Sequence, residues 1–414
     1  MFSWLPRSLQ RLSLARAWKP LNFSNPNFGR ISPSQTIEEE NLPDYIASRY
    51  YPTRIGEVIK DRYQVIGKLG YGATSTAWLA RDMNCRSYVT LKIFIKAASM
   101  GQQLDDELGM YQRLDRASKH PGRNAIRSLL DSFHIDGPND KHHCLVHPPL
   151  FESVWDFLHR NPVQRLPKPV LAFTLRQVFL ALDYLHTECQ VIHTDIKANN
   201  IMFQLANSSV FTKFEEDELR NPSPRKELDG RAIFLSRELE MIPGKLGAPV
   251  LCDFGSAMLG DIEHLEDVQP DIYRAPEVIL EVPWSYSIDI WNVGCMIWNI
   301  FEGCSLFTGH DPKFQTYRSR AHLAEMISLL GHPPPSLLAR GKQSQRFFSD
   351  SGEFREAALL QDLTPLEQRE TTLEGEDKER FLRMMRRMLQ WEPEKRSSAK
   401  ELAEDEWIRK QIGL

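Results

Sequence analysis

From Arg62 to Ile95 the apolar residues fall into short runs of strand type, YQVIGKLGY, TAWLARD and SYVTLKIFI, whereas from Val170 to His186 they recur at helical spacing. One chain thus carries two hydrophobic periods, in order and with little mixing. Between them QQLDDELGMYQRL predicts a helix with Leu104, Leu108, Tyr111 and Leu114 on one face, and strands resume at 128–134 and 143–146. Beyond Phe151 the pattern is mainly helical, with further helices expected at 288–303 and 379–390. The change falls at HPPLFES, residues 147–153, where Pro148 and Pro149 stiffen a short connector. This pattern predicts an α+β fold: a small β-rich unit with one helix, then a larger mainly helical unit.

Bulk properties exclude some partners. A net charge of −4 over 414 residues does not suit a chain that coats nucleic acid or an anionic membrane. The most apolar stretch, IDIWNVGCMIWNIFEGCSLF, carries Asp289 and Glu302 and reads as a buried helix, not a membrane span. Cys85, Cys144, Cys189, Cys252, Cys295 and Cys304 are scattered, with no zinc spacing, and are expected to be buried free thiols.

Residues 1–37 contain no acid but include Arg7, Arg11, Arg16, Lys19 and Arg30. LPRSLQRLSLARAW fits a basic amphipathic helix of transit-peptide type, which points to mitochondria. The first expectation is nevertheless a disordered basic extension over 1–44 of a protein of cytoplasm and nucleus, with the mitochondrial reading as the alternative.

The chemistry concentrates in a few places. VIHTDIKANNIMF, residues 191–203, sets an acid, a base and two amides in one loop between apolar runs. Gly70-x-Gly72 lies between two strand runs, where bare glycines let backbone amides approach phosphate. A strand follows it, so it is no dinucleotide motif, and it lacks the Gly-Lys-Ser/Thr ending of a P-loop. Lys92 ends an apolar strand, Glu107 lies on the next helix, and Asp253 opens Asp-Phe-Gly after another strand. Each has a plain structural reading: a hairpin turn, an edge lysine, an exposed helix acid, a chance tripeptide. Their order and spacing, followed by Ala275-Pro276-Glu277 and Asp289-x-Trp-x-x-Gly, argue against coincidence.

Over residues 45–410 this series resembles a eukaryotic protein kinase, and within that family the SR-protein kinases. The closer resemblance rests on KLGYGATSTAWLARD, HTDIKANNI, IYRAPEVIL, DIWNVGCM, MLQWEPEKRSSAKELAEDEW and above all HLAEMISLLGHPPPSLLARGKQSQRFFSDSGEFR. It implies a bilobal kinase fold, with an N-lobe at 45–147, a C-lobe at 148–410, and a kinase domain of about 63–408. It implies ATP and Mg²⁺ as cofactors and Ser or Thr of proteins as acceptor, as in mRNA splicing regulation. Leu69, Gly70, Gly72, Ala77, Lys92, Glu107, Pro148 and Leu150 would bind ATP, Asn200 and Asp253 would hold the metal, and Asp195 and Lys197 would be catalytic. Asp289 resembles the brace of the catalytic loop, and Glu277 with Arg396 a structural ion pair.

The chain departs from the family in places. Ser75 replaces the third glycine, Ala77 the usual valine and Thr90 the usual alanine before the lysine. The hinge reads His147-Pro148-Pro149, which leaves the carbonyl near Pro148 and the N–H near Leu150 for adenine. Asn200 and Asp253 are 53 positions apart, so residues 204–249 are an insert. Thr194 stands where phosphorylation-switched kinases carry arginine, and between Asp253 and Glu277 the only hydroxyl side chains are Ser256 and Tyr273. Constitutive activity is therefore expected. Asp261, Glu263, Glu266, Asp267 and Asp271, with no Lys or Arg in 256–272, suggest basic, Arg/Ser-rich protein substrates. A monomer without nucleic-acid or membrane partners is expected. The alternative is a pseudokinase or scaffold that keeps the fold and binds partners.

Overall fold

The structure, a computed structural model, describes residues 17–96, 100–116, 118–138, 140–228, 230–241, 244 and 246–414. In chain order it begins with strands β1 (Val58–Ile59), β2 (Tyr63–Tyr71), β3 (Ser75–Asp82) and β4 (Ser87–Phe94), helix α1 (Met100–Leu114), and strands β5 (Asp131–Asp136) and β6 (Lys141–His147). Then come α2 (Val154–Arg160), α3 (Lys168–Tyr184), β7 (Val191–Ile192), β8 (Ile201–Leu205), α4 (Ser209–Arg220), β9 (Arg225–Leu228) and β10 (Arg231–Phe234). β11 (Leu246–Leu251), β12 (Met258–Leu259), α5 (Pro276–Ile279), α6 (Ser287–Glu302), β13 (His310–Asp311), β14 (Thr316–Tyr317) and α7 (Ser319–Leu330) precede further helices to the C-terminus.

The chain forms two compact units, as the two hydrophobic periods predict. The small unit is built on one antiparallel sheet of order β1-β2-β3-β4-β6-β5. Tyr63, Val65, Trp78, Val89, Leu91, Ile93, Cys144 and Val146 fill one side of it. Full burial of each large apolar chain is worth about 1.5–3 kcal/mol.

The domain boundaries differ from expectation in three ways, the first being that α1, expected in the small unit, clusters from Gln102 on with the large one. The insert joins the small unit, through Leu205–Leu246, rather than the helical one. It folds as α4 plus the β9–β10 hairpin, and Phe211 and Phe214 of α4 bury against Ile66 and Leu79. Residues 17–44, expected to be disordered, run across the same sheet. Trp18 N–H donates to Met83 O at 2.9 Å, Gln64 and Leu21 exchange two hydrogen bonds at 2.8 Å, and Arg225 N–H donates to Gly29 O at 3.0 Å. The transit-peptide expectation falls, up to Arg16, outside the described residues, as does the side chain of Leu104.

The large unit is organised by α6. Ile288, Trp291, Val293, Ile297 and Phe301 of this helix are all buried, and so are its polar Asp289, Asn292 and Glu302. An apolar helix buried on every side keeps such groups only if they are hydrogen-bonded. Gly303, at φ 72°, ends it. Among the described residues no helix is long and apolar enough to cross a membrane. Of the six cysteines, Cys85 and Cys304 are exposed, against expectation, and the other four are buried.

Candidate active site

The loop between β7 and β8 carries the acid and base of HTDIKANN, and α6 holds that loop. Asp289, at 0% exposure, accepts the backbone N–H groups of His193 and Thr194 at 2.8 and 2.9 Å and pairs with His186 Nε2 at 2.9 Å. Asn292, one helical turn on, accepts Ile196 N–H at 3.2 Å and donates to Ile196 O at 2.6 Å. Residues three apart share a helix face, so the two polar groups of α6 hold successive stretches of one loop. His193 reaches Cys252 O at 3.1 Å, and Cys252 N–H donates to Asn200 O at 2.8 Å, fixing the loop to the strand that leads into Asp253.

Within this frame Asp195, Lys197 and Asn200 come together. Lys197 Nζ lies 3.0 and 2.7 Å from the two carboxylate oxygens of Asp195. Asn200 Nδ2 donates to the backbone and side-chain oxygens of Asp195, both at 2.9 Å. Because that amide nitrogen is spent, the oxygen of Asn200 is its remaining ligating atom. Asp253 takes a left-handed backbone, φ 66°, a strained conformation of the kind that gathers at functional sites. Gly255 follows, where an added Cβ would lie 3.4 Å from Glu107 Oε2 and 3.5 Å from Asp253 Oδ1. Glu107 is 3% exposed, not the exposed helix acid of the plain reading, and α1 turns it toward the Asp-Phe-Gly segment. Tyr111 and His193 pack edge-on against Phe254.

The other predicted residues lie in the small unit. Gly70 and Gly72 form the end of the β2–β3 hairpin, closed by Gly72 N–H on Ser75 O at 2.8 Å. A Cβ on Gly70 would meet nothing within 4 Å, so its backbone is open on that side. Lys92 pairs across β4 with Ala77 and Leu145 in register, and its ammonium lies 4.8 Å from the Phe94 ring centroid. Leu69 packs beside Ile66 and Leu79, Leu150 is buried, and His147 ends β6 with Nδ1 2.9 Å from Ser128 O. Pro148 follows it in the connector.

Sequence reasoning missed several residues. Asn292 carried a signal, its three-residue spacing from Asp289. Gln269, at φ 74°, donates to Ile288 O at 2.8 Å and accepts Ala275 N–H at 2.9 Å, and thereby shapes the segment before Ala-Pro-Glu. Nothing local in the sequence marks it.

An acid and a lysine held together on one loop, with the amide of Asn200 against the acid, form a set suited to phosphoryl transfer. A profile of the protein kinase domain matches residues 63–216 and 233–408, leaving out part of the insert. The chain belongs to the protein kinase family. It is 40% identical over 386 residues to a serine/threonine protein kinase of Aspergillus fumigatus, covering 92% of this chain and 93% of that one. It is 30% identical over 396 residues to the serine/threonine-protein kinase SRPK of Physarum polycephalum, covering 90% and 91%. The crystal structure of a kinase domain matches with a TM-score of 0.66 at 21% identity, over 87% of this chain and 99% of that one, which shows the fold. The chain is thus a protein kinase of serine/threonine type, similar to the SR-protein kinases, and membership implies ATP, a divalent cation and protein acceptors.

Proposed function

We propose that this kinase transfers the γ-phosphoryl group of MgATP to serine in Arg/Ser-rich proteins, without prior phosphorylation of its activation segment. The observation that carries the reading is the Asp195–Lys197–Asn200 cluster on a loop anchored by Asp289. Asp195 orients the acceptor hydroxyl and takes its proton, and Lys197 steadies the charge that develops. Asn200 and Asp253 offer hard oxygen ligands that suit Mg²⁺. Lys92 holds the α- and β-phosphates, and Pro148 and Leu150 give adenine a carbonyl and an N–H. The open face of Gly70 fits close backbone approach to phosphate. ATP supplies the phosphoryl group.

The preference for basic peptides rests on the acids of residues 256–272, but their charge is partly matched. Arg274 pairs with Asp267 at 3.0 Å and Asp271 at 2.9 Å, Glu266 is 3.2 Å from His264, and Asp261 is 4.0 Å from Arg113. The carboxylates of Asp267 and Asp271 are still largely exposed, at 75% and 58%, so a peptide arginine has room to add to them. Monomeric action on proteins, in cytoplasm and nucleus or alternatively in mitochondria, belongs to the same proposal. A scaffold without activity has no observation in its favour. The deciding experiment is phosphorylation of a peptide array by the parent and by Asp195→Asn. Arg-Ser peptides should be preferred and the variant should lose about 10²–10⁴-fold in turnover. A preference for acidic peptides refutes the substrate class, and an undiminished variant refutes the site.

A further inference from the structure

Three consecutive acids, Glu38, Glu39 and Glu40, form a single 3₁₀ turn in the N-terminal strap, and two buried lysines meet them. Lys68 of β2 is 0% exposed. Its ammonium donates to Glu39, lies 3.4 Å from Glu38 Oε2, and donates to Phe234 O of the insert at 3.2 Å. Lys226 of the insert, 2% exposed, has its ammonium 2.6 Å from both oxygens of Glu40 and 2.9 Å from Gln35 O. Glu38 also accepts the N–H and hydroxyl of Ser236, at 3.0 and 2.7 Å. Strap, insert and β2 are thus joined by one buried charged cluster.

Such a cluster is a poor way to gain stability, because desolvating the charges offsets most of their attraction, but it is selective about geometry. The geometry at stake is the register of β2. Its pairing with β3 shifts twice, between Val65 and Gly67 and between Lys68 and Gly70. A strand with two irregularities can relocate them, and a one-residue slip turns every side chain to the other face. Lys68 borders the second shift, two residues before Gly70. The insert holds the same place from outside. Arg237 N–H donates to Lys68 O at 2.9 Å, and Phe214 packs so close to Gly67 that an added Cβ would lie 2.8 Å from its ring. The clamp also reaches the hairpin, because Lys68 Nζ lies 5.2 Å from the ring centroid of Tyr71, the residue between Gly70 and Gly72.

We propose that Glu39 is a positioning residue for nucleotide binding, which acts through Lys68 to lock the bulged register of β2 and so to hold the Gly70–Gly72 backbone. The inference rests on the reading of that hairpin as the ATP phosphate contact. The strap and the insert then serve one purpose, and neither fixes the hairpin alone.

The test uses the full chain with MgATP and an Arg-Ser peptide. Glu39→Gln keeps the shape and removes the charge. It should raise the KM for MgATP about tenfold, while kcat and the peptide KM stay within about twofold. Amide exchange should quicken over residues 66–72 and remain as in the parent across the large unit. Lys68→Arg, which keeps the cation, should stay near the parent. If Glu39→Gln does not fold, Glu38→Gln, which loses the longer 3.4 Å contact, should show the same pattern at about two- to threefold. A folded variant with a lower melting temperature but unchanged ATP KM and unchanged exchange at 66–72 makes the cluster merely structural and overturns the inference, leaving the kinase reading intact. A parent that turns over no MgATP overturns both.

Discussion

The hydroxyl of Thr194 donates a 2.7 Å hydrogen bond to the backbone oxygen of Ser256, the residue that follows Asp253-Phe254-Gly255. Thr194 is 1% exposed and holds φ at 64°, a region that β-branched residues rarely enter. The conformation persists because it is held twice, by this bond and by the backbone N–H on Asp289. A neutral hydroxyl therefore ties the loop of Asp195 to the start of the activation segment. An arginine at this position would bury a charge that waits for a phosphate. The threonine needs none, and this is the physical basis for proposing constitutive activity.

Thr194→Val keeps the shape and removes the bond. The carbonyl of Ser256 loses its donor, at a cost of about 1–3 kcal/mol. The melting temperature should fall, amide exchange should rise over residues 253–260, and turnover should drop several-fold. Thr194→Arg should cost more, about 3–5 kcal/mol, because it forces a charged side chain into a position that is 1% exposed and whose hydrogen-bonded carboxylate, Asp289, is already taken up by the loop. Unchanged melting and turnover in the valine variant would show that the segment is fixed by other contacts.

Asp289→Asn leaves one acceptor oxygen where three donors converge, His193 N–H, Thr194 N–H and His186. Hydrogen bonds to a charged group are worth about 1.5–3 kcal/mol each, so the loop should loosen without the unit unfolding. Turnover should fall about 10- to 100-fold with the KM for MgATP nearly constant, since Asp289 acts on the geometry of Asp195. A change confined to the ATP KM would assign Asp289 another role.

The two units, the strands β2 to β4 and the helices α3 and α6 were legible because local period alone specifies them. The catalytic loop was legible because its residues are close in sequence. What escaped depends on long-range pairing. Residues 1–44 read as a disordered extension until Lys68 and Lys226 are placed against Glu38–Glu40. The insert was legible only as extra length between Asn200 and Asp253, although Phe211 and Phe214 of α4 carry its docking face. The acids of the activation segment read as free charge because Arg274, their partner, lies just past the stretch that lacks Lys and Arg.

His322 on α7 is 0% exposed, with Tyr317 Oη 3.1 Å from its Nδ1 and Phe307 against its ring. Burial, with a smaller contribution from Arg274, lowers its pKa from 6.5 to about 3. Between these values the unfolded chain binds a proton that the folded chain does not. Stability from this residue is therefore complete above pH 6.5 and is lost as pH falls toward 3, by up to about 1.4 kcal/mol per pH unit. His322→Asn retains an acceptor for Tyr317 and cannot take up the proton. Denaturant titrations at pH 7.5, 5.5 and 4.5 should show the variant weaker than the parent at the first and closing the gap at the last. Parallel losses in the two proteins would exclude His322 as a source of acid sensitivity.

Glu277 of α5 and Arg396 form a two-pronged ion pair, at 2.5 and 2.7 Å, with both side chains at 0% exposure. Arg396 also donates to Gln390 O and Ser287 O, both at 3.0 Å, and its guanidinium lies 5.0 Å from the Trp291 ring centroid. Four of the five guanidinium N–H donors are thus used, close to the full satisfaction that a buried pair needs. Arg396→Met leaves the Glu277 carboxylate buried without its partner and should destabilise the kinase by about 3–5 kcal/mol. Glu277→Gln should cost less, because a neutral amide still accepts from the guanidinium. In the double variant Arg396→Met/Glu277→Met the stranded charge is gone, so stability should recover relative to Arg396→Met by about 2 kcal/mol or more, and with the single variant Glu277→Met it closes a double-mutant cycle whose coupling should be clearly non-zero. Activity on peptide should not recover with it. Glu277 follows Ala275 and Pro276 directly, and a methionine cannot hold the end of the activation segment in the direction that a bidentate pair imposes. Recovery of stability and activity together would mean that apolar packing alone sets the segment; additive losses would mean that the two residues act independently despite their contact.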